Sequence, residues 1–311
     1  MSEKVFLFQD SSRISELVEL FSTGLGETTY EYWKWRLFSD IGEMNPTAVV
    51  FENENGRLDG MLTAIPVIYG DEQNRKRALQ MCDWVVRPEA RGKGILSKMY
   101  RYITEIYRDM GFDFLMAFCP NENSRPVFER YQYQNYGIFS RWSTKFHLIF
   151  GASKTGVFQG KNAEYRFTEN CPDIEFSPNK LRLLRDRFYM EWKFDKDPSV
   201  SYSWLSVWKE QKCIGYFVYV FTKGRIRTVV NVYDWEFEKT EPTAFSEAVS
   251  LLNTMGNSVC IWGRYSEAEN ALFKSAELKE KNMGCQLVVK PFDETKKIPD
   301  GLIFSRVDMD Y

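Results

Sequence analysis

Apolar positions recur with two different periods along this chain, and the places where the period changes mark its elements. Residues 78–86, ALQMCDWVV, carry strand-forming side chains and end at Arg87-Pro88, a pair that favours an extended chain and then a turn. From Gly94 the period lengthens: Ile95, Met99, Ile103, Ile106 and Met110 fall on one helical face, and Gly111 supplies a stop. Residues 112–119, FDFLMAFC, form a nearly unbroken apolar run, which predicts a strand buried on both faces. Pro120 and Asn121 end that run, and NENSRPVFERYQ reads as a short second helix. Upstream, residues 46–70 predict a hairpin with Asn-Glu-Asn-Gly in its turn. The order of hairpin, strand, glycine-rich turn, helix, buried strand and helix implies an α/β fold, an α+β arrangement around a mixed sheet.

The second half repeats this plan weakly. YWKWRLF (32–38) resembles YMEWKFD (189–195), which sets Trp35-Arg36 against Trp192-Lys193. Gly60 in RLDGMLTAI answers Gly215 in KCIGYFVYV, and Asp83-Trp84 answers Asp234-Trp235, all at nearly constant offsets. A helix-like TAFSEAVSLLNTM, a strand-like SVCIWG and a helix-like EAENALFKSAELKEK follow, as duplication would predict. The second copy has EFEKTEPTAF where the first has its glycines, so it keeps the scaffold and loses the turn. FGASKTGVFQGKN (150–162) reads as the linker, giving expected domains 1–150 and 151–311.

Length agrees with two domains, since 311 residues is about twice the usual domain size. A net charge of −2 gives no global basic surface, so no nucleic-acid partner is expected. The opening MSEKVFLFQDSS lacks the basic end and apolar stretch of a secretion signal, and no segment approaches the roughly 18 apolar residues of a membrane span. Six cysteines, Cys82, Cys119, Cys171, Cys213, Cys260 and Cys285, form no compact cluster, and His147 is the single histidine. That composition predicts no metal site, reduced cysteines and a cytoplasmic protein without a membrane partner.

The chemistry is expected at VVRPEARGKGILSKMY (85–100), where Gly92 and Gly94 sit between strand and helix among Arg91, Lys93 and Lys98. Glycines there let backbone N–H groups converge on an anion, and the following helix adds the positive end of its dipole. The chain has neither G-x-x-x-x-G-K-[ST] nor G-x-G-x-x-G, because Ile95 and Ser97 break those patterns.

Arg91-Gly92-Lys93-Gly94-Ile95-Leu96 resembles motif A of the GNAT (Gcn5-related) N-acetyltransferases, [RQ]-x-x-G-x-[GA], and Asn121, Ser124 and Phe128-Glu129-Arg130 resemble motif B. The resemblance implies two GNAT-like acyl-CoA N-acyltransferase domains, the second degenerate. It also implies that Arg91, Gly92, Lys93, Gly94, Ile95 and Leu96 bind the acetyl-CoA pyrophosphate, that Val85 and Val86 pair with the pantetheine arm, and that Asn121 and Asn123 flank it. Three positions depart from the pattern: Leu96 replaces a small residue, Gln132 a glycine, and Phe128 the tyrosine that protonates the departing thiolate. The change at Gln132 predicts a locally altered turn.

Transfer in this family is direct, from the thioester to a neutral amine. An alkyl amine with a pKa near 10.4 must first shed a proton. Asp83 shares a strand face with Val85 and is the candidate proton acceptor or amine anchor; an ordinary structural aspartate is the other reading, which Asp234 favours. Tyr131 and Tyr133 are the phenols nearest the missing one, and Tyr131 is the candidate proton donor. Trp33, Trp35 and Phe38 form a stripe that suits the core or an acceptor pocket. The expected activity is acetylation of a primary amine on a small molecule, such as an amino sugar. A non-catalytic CoA-sensing module and a Fem-type aminoacyl transferase remain as alternatives, and the oligomeric state stays open.

Overall fold

Strand β1 (Lys4–Leu7) and helices α1 (Ile14–Ser22) and α2 (Tyr30–Phe38) open the chain in the computed structural model. The structure describes residues 2–42, 45–70, 75–118, 122–147, 155–174, 182–225, 227–295 and 297–309. It divides into two units, Met1–Tyr136 with Asp197–Ser199 and Leu287–Pro299, and Gly137–Lys196 with Val200–Gln286 and Asp300–Tyr311.

In the first unit, β2 (Thr47–Glu52) and β3 (Leu58–Tyr69) form the expected hairpin, followed by β4 (Lys76–Val86), α3 (Ile95–Asp109), β5 (Phe114–Phe118) and α4 (Arg125–Arg130). All strand pairings here are antiparallel except β4 with β5, which the intervening helix forces to run parallel. The last place in this sheet goes to Leu287–Pro291, which pairs antiparallel with β5. Leu62, Ala64 and Leu79 turn towards α3 with Ile95, Met99 and Ile103. Met61, Val50 and Val85 turn the other way, towards α1 and α2 with Leu17, Leu20 and Trp33. Alternation with period two thus splits one strand between two cores, and burial of such side chains contributes about 1.5–3 kcal/mol each. Trp33 is fully buried and Trp35 nearly so, whereas Phe38 is exposed, so the aromatic stripe belongs mostly to the core.

Helix α4 ends without the altered turn expected at Gln132. Tyr133 N–H donates to Phe128 O and Gln132 N–H to Glu129 O, the two bonds of a Schellman motif. Gln132 itself takes the left-handed position with φ 62°. A glutamine there carries strain that a glycine does not, so Gln132→Gly is expected to raise stability by up to about 1 kcal/mol. The urea midpoint checks it, and an unchanged or lower midpoint would show no strain to relieve.

The second unit begins with Gly137–Ser143, most of β6 (Gln134–Ser143), then β7 (Gly156–Gln159) and β8 (Glu164–Thr168). Of the stretch read as a linker, Gly156–Gln159 is therefore a strand of a hairpin, while residues 150–154 lie outside the described residues. After α5 (Arg187–Met190) come β9 (Ser203–Lys209), β10 (Lys212–Lys223), β11 (Thr228–Phe237), α6 (Pro242–Asn253), β12 (Ser258–Arg264), α7 (Glu267–Ser275) and β13 (Lys279–Pro291). The helix expected over EAENALFKSAELKEK thus stops at Ser275: Glu277 takes φ 56°, and Leu278 N–H donates to Phe273 O in the same Schellman pattern that ends α4. Here too one pair, β11 with β12, is parallel, and Ser140–Ser143 hold the place beyond β12. His147 lies just past β6, exposed, with its backbone bonded to Asn257.

One cysteine departs from the expected reduced state. Cys285 is disulfide-bonded, while Cys82, Cys171, Cys213 and Cys260 are free and Cys119 lies outside the described residues. Cys285 belongs to the strand whose end pairs with β5, a long-range pairing that cysteine spacing in the sequence does not reveal.

Candidate active site

The cradle forms where β4 hands over to α3. Gly92 and Gly94 take φ 80° and 74°, a left-handed conformation that side chains resist. A Cβ built on either would meet nothing within 4 Å, so conformation rather than crowding demands glycine, and the space above them is open. Gly94 is the N-cap of α3, no side chain caps it, and the first turn holds no acid. The first bond of the helix runs from Lys98 N–H to Gly94 O, which leaves the amides of Ile95, Leu96 and Ser97 without partners inside the helix. Arg91 and Lys93 are exposed beside them; Arg91 Nε donates to Val86 O at 3.2 Å, and Lys98 is engaged with Glu3 at 2.8 Å. Ile95 is buried and anchors the turn to the core, with Leu96 partly buried next to it.

Next to the cradle, β4 and β5 part. They pair only at Ala78, Leu79 and Gln80 against Phe114, Leu115 and Met116, although β4 runs on to Val86. The parting begins at a bulge: Leu62 faces Trp84 and Ala64 faces Met81, so Cys82 and Asp83 stand opposite Thr63 alone. Among the described residues nothing pairs with β4 on the β5 side from Met81 to Val86. Val86 thus borders a gap whose far wall is β5, and its carbonyl there already accepts from the Arg91 side chain. Asn123 is exposed in the turn before α4, and Asn121 lies outside the described residues.

The bulge also orients Asp83. Its Oδ2 accepts from Thr63 Oγ1 at 2.8 Å and pairs with Arg36 Nη2 at 3.1 Å, while Oδ1 has no partner among the described residues. Arg36 is 1% exposed and its Nη1 donates to Tyr32 OH. Burial pushes the Tyr32 phenol upward although the Arg36 charge opposes it. Burial likewise pushes the Cys82 thiol up to about 12 against the pull of Arg36, so this cysteine stays protonated beside Asp83. Arg36 and Thr63 escaped the sequence reading. The available signal was the repeat, which places a cation, Lys193, at the matching position of the second half.

Tyr131 and Asp83 lie on opposite sides of the sheet. Asp83 meets α2, whereas Tyr131 packs with the α3 cluster, where its hydroxyl donates to Ser97 Oγ at 3.1 Å and its ring stacks on Tyr100 at 3.8 Å. Phe128 is buried against Trp84 with ring centroids 4.8 Å apart.

In the second unit the matching places are closed. The turn before α6 carries Glu238 and Glu241, paired with Lys212 and Lys209, and the helix begins on Pro242, which has no N–H. Gly263 and Arg264 of β12 pair with β14 (Phe304–Ser305) on the side facing β11. That insertion fills the gap corresponding to the one beside Val85. Asp234, the counterpart of Asp83, is fully buried by Arg182 and Arg185, each at 2.8 Å, and Arg185 also holds Asp308. Burial opposes its charge, but the two guanidiniums hold its carboxyl below the usual range. Among the described residues, no group of three or more His, Cys, Asp or Glu side chains is placed to hold a metal ion.

Residues 8–137 match the family model described as an acetyltransferase (GNAT) domain. Among solved structures, a probable N-acyltransferase of unknown function from Enterococcus faecalis V583 superposes with a TM-score of 0.67 at 12% identity, over 94% of this chain and 73% of that one. A GCN5-related N-acetyltransferase from Anabaena variabilis ATCC 29413 gives 0.65 at 9% identity, over 93% and 73%. One from Kribbella flavida gives 0.61 at 12%, over 93% and 71%. At such identities these likenesses establish the fold. No curated protein matches the chain by sequence.

Proposed function

We propose that the protein, whose residues 8–137 match an acetyltransferase (GNAT) domain model, is an acetyl-CoA-dependent N-acetyltransferase acting on a primary amine of a small molecule. The observation that carries this reading is the pair of left-handed glycines at the uncapped start of α3, at the mouth of the gap between β4 and β5. The amides of Ile95 and Leu96 and the Arg91 and Lys93 charges receive the pyrophosphate. The pantetheine arm extends along Val85 and Val86, with Asn123 on its far side, and the thioester reaches the bulge.

There the amine attacks the carbonyl carbon, a C–N bond forms, the C–S bond breaks and the thiolate takes up a proton. A protonated Cys82 is a poor nucleophile, which favours direct transfer over an acyl-cysteine. The open Oδ1 of Asp83 suits a contact to the incoming amine, anchoring it and accepting its proton through water. The bond from the Tyr131 hydroxyl to Ser97 in the first turn of α3 favours a role for this phenol beside the nucleotide end rather than at the thioester. The leaving thiol, with a pKa near 8.5, departs without a dedicated phenol. An amino sugar is one acceptor class that offers the required amine, and acetyl-CoA supply places the reaction in the cytoplasm. The second unit, with its acidic turn and filled gap, acts as a degenerate copy that does not bind CoA.

The buried Phe128 at the usual tyrosine position favours a second reading, a CoA-binding module without turnover. Melting curves and free-thiol release separate the two. The enzyme reading expects acetyl-CoA to raise the melting temperature and at least one amine in a panel, amino sugars included, to release thiol. A raised melting temperature with no thiol from any amine makes the chain a binding module.

A further inference from the structure

We infer that Tyr32 selects the acceptor: its hydroxyl donates to an oxygen on the carbon next to the acceptor amine, so that the favoured acceptors are vicinal amino alcohols rather than plain alkyl amines. This rests on the acetyl-transfer reading above, with Asp83 anchoring the amine. Tyr32 and Arg36 stand four residues apart on one face of α2. One nitrogen of the Arg36 guanidinium, Nη1, donates to the phenol oxygen, and the other, Nη2, meets Asp83 Oδ2 at 3.1 Å. Because the phenol accepts that bond, its own proton is still to be given, and it finds no acceptor among the described residues. Burial keeps the phenol protonated.

A donor and an acceptor thus lie side by side, the Tyr32 O–H and the open Asp83 Oδ1, tied to neighbouring nitrogens of one planar fork. Two substrate atoms that use both must themselves be near neighbours. The amine gives its N–H to Asp83, and an oxygen on the adjacent carbon accepts from Tyr32. Both ends are held in place. The Tyr32 ring meets Trp33 and Trp35 at centroid distances of 5.5 and 5.7 Å, and Thr63 holds Asp83 Oδ2 at 2.8 Å. Both also stay accessible, Tyr32 half-buried and the Asp83 side chain 16% exposed. Their counterparts in the second unit, Tyr189 and Asp234, are fully buried. The pair is open in the unit that keeps the glycine cradle and closed in the other. An acceptor without the oxygen leaves the phenol unpaired in a half-buried site, and that penalty is the source of selection.

Thiol release with matched amines tests this: ethanolamine against propylamine, and trans-2-aminocyclohexanol against cyclohexylamine. For each pair, kcat/KM for the amino alcohol is divided by that for the plain amine. The hydroxyl also lowers the basicity of the amine itself, but equally for every enzyme, so the change in this ratio between enzymes is what counts. Tyr32→Phe should lower the ratio about fivefold, the scale of one neutral hydrogen bond. Both rates come from one preparation, so a loss of folded protein cancels. Tyr32→Phe/Arg36→Met removes the guanidinium that the phenylalanine leaves unpaired, and should show the same fall where the single variant does not fold. An unchanged ratio, even with slower turnover, gives the phenol to Arg36 or to the thioester and overturns the inference. So does a wild type that acetylates other amines and neither amino alcohol. A wild type that releases thiol with no amine at all overturns the enzyme reading and the inference with it.

Discussion

Replacing Gly94 with glutamate is expected to weaken acetyl-CoA binding by about 100-fold while the chain stays folded. Glutamate puts a carboxylate where the pyrophosphate meets the positive end of α3, and it exchanges an attraction for a repulsion. Losing charge-assisted bonds of about 1.5–3 kcal/mol together with the dipole contribution gives roughly that factor. The fold should tolerate the change for a local reason. A Cβ at Gly94 meets nothing, so the cost is the left-handed backbone, about 1–2 kcal/mol. The new carboxylate at an uncapped helix start returns part of it, about 0.3–1 kcal/mol. Gly94→Asn is the control, because asparagine tolerates the left-handed region and carries no charge; it should lose far less affinity than the glutamate variant. Titration calorimetry with a melting curve on each variant reads both effects. Unchanged affinity in Gly94→Glu would remove the cradle from the account.

The elements that build this cradle were legible because each announces itself locally. The apolar run at 112–119, the helical stripe from Ile95 and the glycine pair between them fix a strand, a turn and a helix without reference to the rest of the chain. The face of Asp83 followed from period two as well. What stayed hidden depends on partners far away in sequence. Arg36 meets Asp83 across 47 positions, and Leu287–Pro291 completes a sheet begun at Lys4. Nor does the pattern of apolar residues disclose a bulge, because one extra residue in β4 leaves the alternation intact on either side. Gln132 shows the opposite limit: the sequence signalled a changed turn, but the two backbone bonds that end α4 hold the left-handed geometry against the side chain's preference. The second unit repeats the lesson, since its acidic turn was readable but the insertion of β14 beside β12 was not.

That hidden pair, Asp83 and Arg36, carries the other large prediction. Asp83→Asn is expected to lower stability by about 3–5 kcal/mol, because it leaves the buried Arg36 guanidinium without its counter-charge. Turnover would fall in this variant whether Asp83 serves the amine or only neutralises Arg36, so the single change does not discriminate. Arg36→Met with Asp83→Asn does. Removing both charges takes away the uncompensated cation, and an apolar side chain of similar length fills its place, so stability should return close to wild type. Acetyl-CoA affinity should be unaffected, since the cradle and the Val85–Val86 edge are untouched. If Asp83 anchors the amine, this refolded double variant still binds acetyl-CoA and releases almost no thiol with any acceptor. If it turns over like wild type, the carboxylate belongs to Arg36 alone, and the proton acceptor must lie elsewhere in the gap between β4 and β5.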